Sequence, residues 1–235
     1  MTSVRYAATL RRAETRSHTR PRPPQSESLR RALNLFVASV GLVVAAPLMM
    51  AIALVVKLTS RGPVFYSQTR VGLDRRMAGR PPGNTRRRMD GGGKPFTIYK
   101  FRTMAQSQGN PEVWATPHDP RVTAVGRMLR KYRLDELPQL VNVLRGDMNL
   151  VGPRPEQPTI FAKLRQQVPG YAERQRVRPG ITGWAQINQH YDRSIDDVHR
   201  KVAYDLDYVG RQSLVEDLKI MVRTIPVVVF KQGAW

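Results

Sequence analysis

The stretch Ala32-Leu33-Asn34-Leu35-Phe36-Val37-Ala38-Ser39-Val40-Gly41-Leu42-Val43-Val44-Ala45-Ala46-Pro47-Leu48-Met49-Met50-Ala51-Ile52-Ala53-Leu54-Val55-Val56 decides how this chain is built, and only Asn34 and Ser39 in it are clearly polar. As one straight helix it would run roughly 37 Å, enough for a bilayer core of about 30 Å. Its length, with no small-residue cleavage site clearly following, argues against a cleaved signal peptide. Pro47 lies inside the run. It removes one backbone donor and leaves the Val43 carbonyl without its helical partner, so a kink is expected. Both flanks are basic, with Arg30 and Arg31 before the run and Lys57 and Arg61 after it. The positive-inside tendency places both ends in the cytoplasm. A re-entrant helix, bent at Pro47 and leaving on the side it entered, satisfies both observations. A spanning helix with a proline kink is the alternative that these residues leave open.

Outside this run the chain is strongly cationic, with 235 residues and a formal net charge of +21. The length suits one sizeable domain plus an anchor or tail. The charge calls for an anionic partner: nucleic acid, an anionic membrane surface or phosphorylated substrates. Aromatics at 7% disfavour a base-stacking nucleic-acid platform. The absence of cysteine excludes a disulfide framework and a thiolate metal site. Residues 1–31 carry eight arginines against Glu14 and Glu27, with Pro21, Pro23 and Pro24 as helix breakers. Residues 74–94, DRRMAGRPPGNTRRRMDGGGK, show no apolar periodicity. Both read as mobile basic segments suited to anionic headgroups, or as solvated loops with no partner.

In the remainder, Val64 to Gln68 and Phe96 to Met104 read as short strands. Thr123 is placed to cap a helix bearing Val125, Met128, Leu129 and Tyr132. A second helix is predicted from about Glu136 on the spacing of Leu137, Leu140, Val141 and Leu144, ending at Gly146. A further helix is predicted over 158–168. Arg178 to Trp184 is turn-rich and reads as loop. Ser194 and Asp197 form a capping-box pattern ahead of Ile195, Val198, Val202, Leu206 and Val209. Residues 213–225 place Leu214, Val215, Leu218, Met221, Val222 and Ile225 in one stripe, either interfacial or packed on the core.

Chemistry concentrates at Arg130-Lys131-Tyr132-Arg133-Leu134-Asp135-Glu136-Leu137-Pro138-Gln139-Leu140. An ordinary helix start accounts for it, with Asp135 as cap and Glu136 complementing the dipole. The functional reading makes one carboxylate a nucleophile toward phosphorus, with magnesium bridging acid and phosphate. Adjacent helical side chains diverge by about 100°, so both reach one ion only at an irregular start. Arg130, Lys131 and Arg133 would keep the acids ionised. Arg154, pinned between Pro153 and Pro155, offers phosphate a bidentate fork at low entropic cost. Lys100 and Arg102 alternate on one strand face and repel unless an anion or acid lies between them. Arg178 is a weaker candidate before a Pro-Gly turn. Trp184 is readable as a base-stacking or a core residue. The histidines have no metal-ligand spacing, and no Walker loop is present.

Lys100-Phe101-Arg102-Thr103-Met104, Leu134-Asp135-Glu136-Leu137-Pro138-Gln139-Leu140, Gly146-Asp147-Met148-Asn149-Leu150-Val151-Gly152-Pro153-Arg154-Pro155-Glu156 and Val177-Arg178-Pro179-Gly180-Ile181-Thr182-Gly183-Trp184-Ala185-Gln186-Ile187-Asn188 occur in that order. In these motifs the chain resembles the bacterial sugar transferase family, the monotopic polyprenyl-phosphate phosphoglycosyl transferases, from about residue 30 onward. The resemblance implies transfer of a sugar-1-phosphate from a UDP-sugar to undecaprenyl phosphate, releasing the nucleoside monophosphate. This would be a first membrane step of glycan (exopolysaccharide, O-antigen or capsule) synthesis. It implies a covalent phosphosugar on Asp135, Glu136 as dyad partner and magnesium held at Asp135. It also implies that Arg154 binds substrate phosphate while Lys100, Arg102 and Arg130 line the anionic site; Arg178, from its own place before the Pro-Gly turn, is added as a substrate-binding candidate. The implied fold is α+β and mainly helical: a tail over 1–29, a re-entrant membrane helix over 30–58 and a catalytic domain over 59–235 with amphipathic interfacial helices. The expected location is the bacterial inner membrane, with the domain on the cytoplasmic face and membrane lipids as partners. Two departures stand out: Ala46 precedes Pro47 where the family often has Ser, and the 74–94 segment is longer and more basic than usual. A membrane-tethered basic protein for anionic lipid or nucleic acid, and a metal-dependent lipid phosphatase, are the rivals. Neither the sugar nor the oligomeric state, a homodimer included, is specified by the residues.

Overall fold

The computed structural model describes residues 24–75, 92–105, 119–189 and 194–229. The tail up to residue 23 and the centre of the basic insertion, 76–91, lie outside the described residues.

The apolar run lies within one long helix, α1 (Pro24–Thr59), which begins inside the stretch expected to be tail. A first-turn proline has no intrahelical N–H bond to lose and already holds a helical φ, so Pro24 starts the helix where a breaker was expected. Helical conformation continues through Pro47. Among the described residues α1 is the one helix long and apolar enough to cross a membrane. Its middle is bare, with Val43 and Val44 about three-quarters exposed (75% and 74%), whereas Arg30, Asn34, Ala38, Ile52 and Val56 are buried.

Both ends of α1 are held by the same domain. At the start, Arg30 donates from Nε to Asp217 Oδ2 (2.7 Å) and from Nη2 to the Tyr208 hydroxyl (3.0 Å), and that hydroxyl donates to Asp217 Oδ1 (2.7 Å). Asn34 accepts from the Leu150 N–H at 2.6 Å. Arg31 donates to the Val143 and Leu144 carbonyls, satisfying groups left open at a helix C-terminus. At the far end, Ile52 and Val56 pack with Phe101 and Leu129.

The domain begins with the antiparallel pair β1 (Phe65–Val71) and β2 (Pro95–Phe101), registered from Phe65↔Phe101 to Val71↔Pro95. The pairing runs on through Gly72 N–H to Lys94 O (2.9 Å) and Lys94 N–H to Leu73 O (3.0 Å). A Cβ on Gly93 would sit 1.8 Å from the Gly72 carbonyl oxygen, so the insertion leaves the strands through a neck that only glycine fits. The helix α2 (Ala124–Lys131) starts as expected, with Thr123 Oγ1 accepting from the Gly126 N–H. The next helix, α3 (Gln139–Arg145), starts three residues later than predicted, after a 3-10 turn over Leu134–Glu136, and ends at left-handed Gly146.

A parallel pair, β3 (Asn149–Val151) with β4 (Gly180–Thr182), flanks a crossover made of α4 (Pro158–Gln167) and a 3-10 helix (Tyr171–Arg176). Part of Arg178 to Trp184, read as loop, is therefore strand β4, and α5 (Trp184–Asn188) follows at once. A three-residue strand whose partner lies a whole crossover away leaves no local periodicity to read. The helix α6 (Ile195–Arg211) opens with the expected Ser194–Asp197 capping box. The last described helix is α7 (Leu214–Val229). Its buried side carries Asp217 and Ile220, while Val215, Leu218, Val222 and Ile225 point outward. The fold is thus mainly helical with two small two-stranded sheets among the described residues.

Candidate active site

The Asp-Glu pair occupies an irregular turn rather than a helix start. Arg133 closes α2 in the left-handed region (φ 58°), the single non-glycine residue with positive φ among the described residues. Such a conformation costs on the order of 1 kcal/mol or more and persists only where its surroundings enforce it. It sends the chain into the 3-10 turn that carries Asp135 and Glu136, both 6% exposed. Asp135 caps nothing: its carboxylate accepts no hydrogen bond and joins no ion pair among the described residues. The ordinary helix-start reading therefore does not describe this pair.

Glu136 is heavily partnered. Lys100 Nζ lies 2.8 Å from its Oε1, and Arg154 Nη2 lies 2.6 Å from the same oxygen. The acid thus stands between two sequence-distant cations brought together by β2, the 3-10 turn and the Pro153–Pro155 loop. Burial alone would raise the Glu136 carboxyl, but Arg154 and then Lys100 outweigh it and hold it well below the usual range. Burial raises the Asp135 carboxyl above its ordinary value, with Lys100 opposing and Glu136 adding to the rise. Burial lowers the Lys100 ammonium, Glu136 resisting. Two adjacent acids therefore diverge: one is a fixed anion, the other an unpaired group in a cationic surround.

Arg130 completes that surround. Its Nε donates to Thr103 Oγ1 (2.9 Å), and its charge acts on Asp135. Arg102 goes elsewhere. Its Nη2 donates to the carbonyls of Val56 and Ser60 and to Ser60 Oγ, clamping the end of α1. Its Nε and Nη1 are buried without a partner. Arg178 is also apart from the dyad, donating to Gly146 O and Glu27 at the start of α1. Trp184 has Arg211 and Arg223 over its ring, at 4.3 and 5.5 Å from the centroid, so it packs against cations rather than lying bare.

Sequence reasoning passed over a second network beside the first. Glu156 pairs with Lys201 at 2.7 Å and faces Arg70 at 4.0 Å. Arg174, fully buried, pairs with Asp205 at 2.7 Å. The Glu156 carboxyl would rise on burial alone, yet Lys201 and then Arg174 hold it below its ordinary value. In sequence these charges stand among others, with Glu173 beside Arg174, Arg200 beside Lys201 and Asp207 two residues past Asp205, so nothing local singles them out before the chain folds.

Among the described residues no three acidic or imidazole side chains converge into a metal cage. What the site offers a cation is the single unpaired carboxylate of Asp135.

A helix long and apolar enough to cross a membrane, docked at both ends on a small domain that buries an acidic dyad among cations, is consistent with a membrane location. The chain belongs to the bacterial sugar transferase family, whose model matches residues 25–231. It is 40% identical over 207 residues to a UDP-N-acetylgalactosamine-undecaprenyl-phosphate N-acetylgalactosaminephosphotransferase of Aeromonas hydrophila, covering 88% of this chain and 45% of that protein. It is likewise 40% identical over 200 residues to the UDP-glucose:undecaprenyl-phosphate glucose-1-phosphate transferase of Escherichia coli K12, covering 84% of this chain and 39% of that one. A protein of the same name from Caulobacter vibrioides is 40% identical over 219 residues, covering 92% and 75%. The chain thus spans less than half the length of the first two relatives.

Proposed function

We propose that this chain transfers a sugar-1-phosphate from a UDP-sugar to undecaprenyl phosphate, with Asp135 as the nucleophile. The observation that carries the reading is the buried, unpartnered Asp135 carboxylate beside a neighbouring acid already neutralised by Lys100 and Arg154. The relatives' names supply the substrate class.

In the first half-reaction an Asp135 oxygen bonds to the phosphorus bearing the sugar. The bond from that phosphorus to the nucleoside monophosphate oxygen breaks, and UMP leaves. In the second, an oxygen of undecaprenyl phosphate bonds to the same phosphorus and the Asp135 carboxylate is regenerated. Phosphoryl transfer needs charge neutralisation and in-line placement more than proton shuttling. Arg154, Lys100 and Arg130 supply cations at the dyad. Glu136 keeps the first two in place rather than attacking. Arg178, outside this cluster, meets substrate or lipid phosphate at the entry of α1.

A carboxylate with no hydrogen-bond or ion-pair partner among the described residues fits magnesium, which commonly takes one or two carboxylates and completes its shell with phosphate and water. Asp135 would hold it, and the bound ion would neutralise charge on the phosphoryl group.

We further propose that α1 is re-entrant. Arg30 and Asn34 near its start and Val56 and Ser60 at its end contact one polar domain, which suits both ends lying on the cytoplasmic face. The outward Val215, Leu218, Val222 and Ile225 of α7 suit an interfacial helix on that face.

The test is to incubate membranes holding the full chain with undecaprenyl phosphate, magnesium and a panel of UDP-sugars, and to read UMP release. Asp135→Asn should abolish release while membrane association persists. With donor alone, peptide mass analysis should find a sugar-phosphate on Asp135. A preparation that turns over without ever showing that adduct would sink the mechanism.

A further inference from the structure

The loop that presents Arg154 is held through its main chain by a buried charge pair that never reaches the substrate. Arg174 is 1% exposed, as is Asp205. The Arg174 guanidinium divides its donors: Nε bonds Asp205 Oδ2 at 2.7 Å, and Nη2 bonds the main-chain oxygen of Arg154 at 3.0 Å. The guanidinium carbon lies 4.8 Å from the centre of the Tyr171 ring, and that ring packs on Phe161. The 3-10 helix Tyr171–Arg176 and α6 therefore fix the guanidinium before any ligand arrives.

The same loop is gripped from its other side. Arg70 Nη1 donates to the Pro155 carbonyl, and the Val71 N–H donates to Glu156 O at 2.9 Å. A fully buried ion pair is poor value as a source of stability, since desolvation offsets much of the attraction. Its geometry has a clearer use. Proline on each side restricts the Arg154 backbone, and one hydrogen bond to its carbonyl settles where the side chain starts.

We propose that Arg174, oriented by Asp205, is a positioning residue that sets Arg154 for substrate phosphate; this rests on Arg154 binding that phosphate. A planar fork can serve two acceptors at a fixed angle, whereas a lysine ammonium in the same space keeps the charge pair and loses the second bond.

The experiment uses the full chain in detergent with undecaprenyl phosphate, magnesium and the UDP-sugar that turns over fastest. Donor KM, kcat and thermal midpoint are measured for wild type, Arg174→Lys, Arg154→Lys and the double variant. Arg174→Lys should raise donor KM about tenfold with kcat nearly unchanged, the mark of lost binding common to ground and transition states. In the Arg154→Lys background it should add little, because the carbonyl it holds no longer aims a guanidinium. Should Arg174→Lys lower the thermal midpoint to the point of unfolding, Asp205→Asn, which keeps the shape and one acceptor, is read by the same two criteria. Additive losses, or an unchanged KM in a folded variant while Arg154→Lys raises it, overturn the positioning role alone. An unchanged KM in Arg154→Lys removes the phosphate-binding reading and this inference with it.

Discussion

At the residue scale, the informative contrast lies between two acids one bond apart along the chain. Glu136 is bound by Lys100 and Arg154, and Asp135 by neither. Removing Lys100 weakens the cationic surround of Asp135 and leaves a buried Glu136 anion with Arg154 as its one ion-pair partner among the described residues. Lys100→Met should therefore lower kcat/KM for UMP release about a hundredfold. Arg102 provides the internal comparison. Its bonds go to the end of α1, so Arg102→Lys should leave donor KM unchanged and lower stability by about 1–2 kcal/mol, read by thermal unfolding in detergent. Glu156 carries a pH signature. Its folded carboxyl lies below its ordinary value, so its contribution to stability is complete above the unfolded value of about 4.3. That contribution disappears as pH falls through the lower folded value. The gap in thermal midpoint between wild type and Glu156→Gln should be wide at neutral pH and close progressively below about pH 4.3. The Asp-Glu pair and Arg154 stood out in the sequence because a run of charge and two flanking prolines are local signals, and Lys100 because it alternates with Arg102 along a strand. Arg174 and Asp205 did not, because other charges crowd each of them in sequence and the meaning of each depends on a partner 31 residues away.

At the element scale, α1 is a membrane-length helix whose polar residues are docking points. Asn34 is the clearest. Its Oδ1 accepts from the Leu150 N–H at 2.6 Å, joining α1 to β3, which leads into the Arg154 loop. Asn34→Leu keeps the apolar character of the run and strands a buried N–H. It should cost about 1–3 kcal/mol of stability in detergent while membrane retention persists. Capped helices were readable in advance, since Thr123 and the Ser194–Asp197 box satisfy backbone donors through neighbours in sequence. The start of α3 was misplaced because Leu137 keeps the apolar spacing across residues that turn as a 3-10 helix. The periodicity counts side chains on a face; it cannot register a tighter turn or the left-handed Arg133 that opens it.

At the scale of the whole molecule, the decisive relation is that one domain holds both ends of its apolar helix. A re-entrant path then requires the two ends to share a side of the bilayer. The chain has no cysteine, so Ser28→Cys and Lys57→Cys can each be made as the sole thiol. Both should react with a membrane-impermeant maleimide in inside-out vesicles, and neither in intact spheroplasts. Opposite accessibility of the two would establish a crossing helix. The sequence by itself determined the apolar run, its proline, its basic flanks and the ordered motifs that mark the family, because hydrophobic length, charge and short-range turns act between near neighbours. Only the tertiary structure decided which acid is neutralised, which arginines reach the dyad and which hold α1. A guanidinium carries the same charge wherever it stands, and its role follows from the acceptor that folding places before it.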